Sequence, residues 1–146
     1  MLKSTALHTE VLVSRGEVHI ADERDLPGCE IKHSVDSRAG RGFKVADGAQ
    51  IPNKGEASPQ CEVDGEQGQV HELIFSFQVA KVSKPLRSVS MIADAGFDIL
   101  FAKTHASVKD PKGGRVICTY QRSGDLYVGE MRLKNILHPS FRRQGQ

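Results

Sequence analysis

With 146 residues, 38% of them hydrophobic and 26% charged, the chain has room for one hydrophobic core and too much apolar character to stay disordered. Twenty Lys and Arg stand against 18 Asp and Glu, for a formal net charge of +2. The two signs are interspersed, so no long-range field selects nucleic acid or an anionic membrane.

The first dozen residues include Lys3, Thr5, His8 and Glu10. They hold neither the apolar core of a signal peptide nor a membrane span, so an intracellular protein, cytoplasmic or nuclear, is expected. The odd number of cysteines, Cys29, Cys61 and Cys118, suits reduced, buried or half-buried thiols better than a disulfide framework.

From residue 9 to 133, short apolar stretches alternate with Gly, Pro, Asp and Asn clusters, an all-β rhythm in one domain. Residues 1–8 read as an N-terminal extension and 134–146 as a flexible tail, where the basic doublet Arg142-Arg143 is solvated. The expected strands begin with 10–13, closed by Ser14, Arg15 and Gly16, then 18–20 and a short piece at 30–32 after a turn at Pro27-Gly28. In FKVADGAQI, Phe43 and Val45 alternate with polar neighbours, and Asp47-Gly48 supplies the turn of a β-hairpin. A strand at 61–63 follows. The longest strand is expected at 70–79, with Leu73, Phe75, Phe77 and Val79 on its buried face.

Ser88 caps one short helix that runs to Ala95, with Gly96 ending it. Further strands are expected at 97–102, 106–109, 115–121 and 126–133, broken by turns at 111–114 and Ser123-Gly124. With no repeat, no linker and a single helix, this rhythm predicts a small closed or nearly closed β-barrel.

Three stretches in this order carry a resemblance: FKVADGAQI, KPLRSVSMIADAGFDILF and VKDPKGGRVICTYQRSGDLYVGEMRL. Together they resemble the retropepsin-like aspartic protease region of Copia-type retroelement polyproteins, continuing toward the pre-integrase segment. The resemblance implies a retropepsin-type barrel, a homodimer, an extended peptide or polyprotein segment as partner, and a flap at Val45, Ala46, Asp47 and Gly48.

The family carries its catalytic loop as Asp-Ser-Gly-Ala followed, two residues on, by His and an aliphatic residue. Matching His19 and Ile20 to the latter pair puts Val13, Ser14, Arg15 and Gly16 at the loop. Such enzymes use two aspartates, one from each subunit, which share a proton so that one acts as base and the other polarises the peptide carbonyl. Val13 can do neither. The resemblance therefore implies a catalytically inactive, protease-like domain. Two alternatives stand beside it: an active homodimeric endopeptidase that uses Asp36, in VDSRAG, or another carboxylate, and a non-enzymatic peptide-binding β module. Asp36 lies only 12 residues before Gly48, which leaves little chain between catalytic loop and flap, so Asp36-Ser37 reads as a polar turn.

No metal or other cofactor is expected. The histidines His8, His19, His33, His71, His105 and His138 form no ligand pair, and Cys29 with His33 lacks the further ligands that zinc needs. No phosphate-binding glycine loop and no basic stripe interleaved with aromatics is present.

Overall fold

The computed structural model describes residues 7–44 and 48–134. Strands dominate, so the protein is all-β in class, with a short helix α1 (Val35–Arg38) and a slightly longer helix α2 (Val89–Asp94).

The centre of the sheet is β1 (Leu7–Ser14). One edge of it pairs antiparallel with β13 (Leu126–Leu133), from Leu7 opposite Leu133 to Leu12 opposite Val128. The other pairs parallel with β9 (Leu86–Ser88), matching Leu12 to Leu86 and Ser14 to Ser88. Beyond β13 come β12 (Val116–Ser123), β11 (His105–Lys109) and β10 (Asp98–Phe101), an antiparallel run. Beyond β9 come β2 (Ile20–Ala21), β8 (Phe77–Val79) and β5 (Gly55–Ala57). β6 (Gln60–Asp64) and β7 (Val70–Ile74) branch from the far end of β13, where Arg132 and Leu133 face Glu62 and Cys61.

This sheet does not close into a barrel. β13 shares one edge between two neighbours, β12 at residues 126–128 and β6 at 132–133, so the sheet forks rather than meeting its own other end. Gly129 sits at the fork, where a Cβ would lie 2.5 Å from Cδ1 of Tyr120. Only a residue without a side chain lets β12 pass that close.

Inward positions alternate as a half-buried strand requires: Cys61 and Val63 are buried between Gln60, Glu62 and Asp64. With Val11, Phe77, Val79, Met131 and Leu133 they form the centre of the core. On the outer face, Arg132 donates twice to the Asp64 carboxylate at 2.8 Å and once to Glu62 at 3.3 Å. This clamps β13 to β6 across the fork.

The expected strand at 70–79 is broken. β7 pairs with β6, whereas β8 pairs with β2 and β5, and the ladder is interrupted at Phe75-Ser76, where the chain changes partners. Phe75, Phe77 and Val79 nevertheless stay buried and Leu73 half-buried, since the inward face is preserved through the interruption. The piece at 30–32 is no strand: Lys32 makes a lone bridge to Glu56. The first strand starts three residues earlier than expected, because Leu7, His8 and Thr9 find partners on β13. Asp36-Ser37 is helical, in α1, through a capping box between Ser34 and Ser37.

β3 (Gly42–Lys44) and β4 (Gln50–Pro52) form the expected hairpin as a separate two-stranded sheet, with Phe43 opposite Ile51. Lys44 opposite Gln50 is the last pair before the connection, and Asp47 of the expected Asp47-Gly48 turn lies outside the described residues. Among the described residues, no helix is long and apolar enough to cross a membrane.

Candidate functional site

The strongest local architecture surrounds the turn that leaves β1. The parallel match of β1 with β9 brings residues 13–16 against the start of α2, and a hydrogen bond from Ser88 to Gly16 ties them there, within a group of four polar contacts. Ser88, fully buried, caps α2 by accepting from the Met91 N–H at 3.2 Å, and its hydroxyl donates to the Gly16 carbonyl at 2.7 Å. The Ser88 N–H donates to Nδ1 of His19 at 2.8 Å. Ser14 Oγ accepts from the Gly16 N–H at 2.9 Å and closes the turn on itself.

His19 is therefore a structural acceptor. It is buried beside Phe75 and Phe77, with ring centroids 6.1 and 5.8 Å away. Desolvation, reinforced by the Arg87 guanidinium, lowers its pKa to about 4. The ring is neutral at physiological pH and, with Nδ1 accepting, carries its proton on Nε2.

A cleft of about 510 Å³ opens in front of the turn. Val13, Ser14 and Arg15 form one wall, and Phe101, Leu126 and Tyr127 face them, with the Phe101 and Tyr127 rings 5.1 Å apart, edge to face. The only carboxylate lining it, among the described residues, is that of Asp125, on the turn between β12 and β13. Residues 13–16 themselves present an isopropyl group, a hydroxyl, a guanidinium and a hydrogen.

Asp36 lies elsewhere, exposed on α1 and paired with Arg41 at 3.1 Å, and it does not line this cleft. Of the flap residues, Val45, Ala46 and Asp47 lie outside the described residues; Gly48 is exposed, with a φ of +88°. Cys61 and Cys118 are buried, Cys29 is half-buried, and none forms a disulfide.

Comparison of the chain with protein-family models, with curated proteins and with solved structures yields no match in any of the three. Function must be read from the site itself.

Two groups near the turn were not visible in the sequence. Phe101 and residues 125–127 reach the cleft only because β10 and the β12–β13 turn arrive there together. Arg87 reads as one cation in KPLRSVS, yet it is buried behind the turn. The one signal for it is its place between Leu86 and Ser88, on a strand too short for its alternation to be read.

Proposed function

We propose that the chain is a retroelement-derived domain of the retropepsin-like aspartic protease type that does not hydrolyse peptides, because Val13 stands where the catalytic aspartate belongs. One observation carries this reading. β1 runs into the 13–16 turn in parallel with β9, and Ser88, the last residue of β9, both caps α2 and donates to the Gly16 carbonyl in that turn. Such a mount fixes a loop in one geometry, as a catalytic loop demands, while the residue at its head has no ionisable group.

Hydrolysis by two carboxylates needs one to hold and one to release a proton. Neither the hydroxyl of Ser14 nor the guanidinium of Arg15 supplies that pair, and the positive charge of Arg15 would hold a nearby carboxylic acid in its ionised form. The mounted turn with its cleft is a protease frame without its chemistry.

Incubation of the purified chain with a diverse peptide library at mildly acidic pH tests the reading. No cleavage is expected. Turnover that a transition-state inhibitor of aspartic proteases abolishes, and that disappears with Asp36→Ala or Asp125→Ala, would establish the active alternative instead.

The cleft favours one second reading, a module that binds an extended peptide without cutting it. Val13, Val89, Phe101, Leu126 and Tyr127 give it an apolar lining with Arg15 and Asp125 for orientation. Saturable peptide binding without turnover, weakened by Phe101→Ser, is its expected signature.

A further inference from the structure

Against α2 lies a cavity of about 180 Å³ that shares no lining residue with the cleft. Its walls are mostly apolar, with Phe75, Met91, Ile92, Phe97 and Ile117 among them, and Arg87 and His19 line it too. Arg87 is 4% exposed, and among the described residues no carboxylate lies within ion-pair distance of it. Its Nη1 donates to the Tyr120 hydroxyl at 2.6 Å, its Cζ lies 3.7 Å from the centre of the Phe75 ring, and its Nε has no partner.

A phenol and a ring face solvate a guanidinium in part, but they do not neutralise it. Nor do the other neighbours. Burial pushes the Tyr120 phenol and the Cys118 thiol up and the Cys61 thiol up to about 12, while His19 is held near 4. Each is uncharged at neutral pH. The mostly apolar cavity wall thus bears a guanidinium charge that no carboxylate among the described residues neutralises.

We infer that this cavity binds a small apolar carboxylic acid as its anion, with the Arg87 guanidinium that lines it holding the carboxylate and the apolar walls enclosing the body. A planar monoanion matches a guanidinium edge. Phosphate would bring a second charge and more acceptors than these walls can satisfy. The volume, that of about six water molecules at liquid density, suits an aryl or branched short-chain acid. His19 adds a second donor, because Nδ1 accepts from Ser88 and leaves Nε2 protonated without an acceptor among the described residues. The inference does not depend on the protease-like reading of the turn.

The test titrates the full chain with phenylacetate and 3-methylbutanoate, each against its neutral amide, and with sodium phosphate and chloride at matched ionic strength. Calorimetry and the side-chain Nε–H resonance of Arg87 are the readouts. At least one acid is expected to bind saturably, at least about tenfold more tightly than its amide, and to shift the Arg87 resonance where the amide does not. Arg87→Leu is expected to abolish acid binding and to raise the melting temperature of the unliganded protein, since it removes an uncompensated buried charge. The inference is overturned if acid and amide bind alike, if neither acid saturates, if phosphate or chloride shifts the resonance equally, or if Arg87→Leu still binds the acid.

Discussion

His19 shows how one buried ring couples the candidate site to pH. Its native pKa of about 4 lies below the ordinary histidine value of 6.5, so between these values the unfolded chain takes up a proton that the native state refuses. The His19 contribution to stability is complete above about pH 6.5 and is lost as the pH falls toward about 4, a change on the order of 3 kcal/mol. His19→Asn, which keeps an acceptor for the Ser88 N–H, should flatten the stability profile in that window. Urea melts of both proteins from pH 7 to 4 measure it, and an unchanged slope in the variant would assign the acid sensitivity elsewhere. The thiols give a second check at this scale. Burial pushes Cys61 up to about 12 and raises Cys118, so with iodoacetamide at pH 8 the half-buried Cys29 should react first. Mass spectrometry should find the other two modified only on unfolding.

Among the elements, α2 depends on its cap more than its length. At six residues it could not persist in isolation. Ser88→Ala removes both the cap and the tie to Gly16, and should cost about 2 to 3 kcal/mol. Ser90→Ala, at the exposed neighbour, should cost little, and equal losses in denaturant midpoint would show that the tie is unimportant. The fork in the sheet makes a similar demand on Gly129. A methyl there meets Tyr120, whose hydroxyl is fixed by Arg87, so Gly129→Ala should destabilise by about 1 to 3 kcal/mol. Tyr120→Leu should relieve that clash, and a double-mutant cycle would reveal it as coupling between the two sites.

For the whole molecule, the open sheet leaves β10 at one edge, with Leu100 and Phe101 about half exposed, and Leu126 is exposed near the 13–16 turn. Exposed apolar side chains on a sheet edge favour pairing with another chain. The resemblance to a family in which each lobe forms half a site makes a second copy the expected partner. Sedimentation at micromolar concentration should give the mass of a dimer, and Phe101→Ser with Leu126→Ser should shift it toward the monomer. A monomer throughout that range would remove homodimerisation from the proposal.

Local signals in the sequence determined much of the architecture. Period-two alternation located most strands, Ser88 and Gly96 bracketed α2, and residues 70–79 were assigned the correct buried face, because side-chain periodicity and capping act over a few residues. Tertiary structure decided what depends on partners far along the chain. The strand at 70–79 is broken because its halves pair with different strands, and the barrel stays open because β13 divides its edge between β12 and β6. Val13 itself lies within β1, opposite Arg87 of β9, a pairing that no local pattern announces. Arg87 is the clearest limit of local reading: a charged residue in a polar-looking stretch ends in the core because β9, only three residues long, lies between β1 and β2.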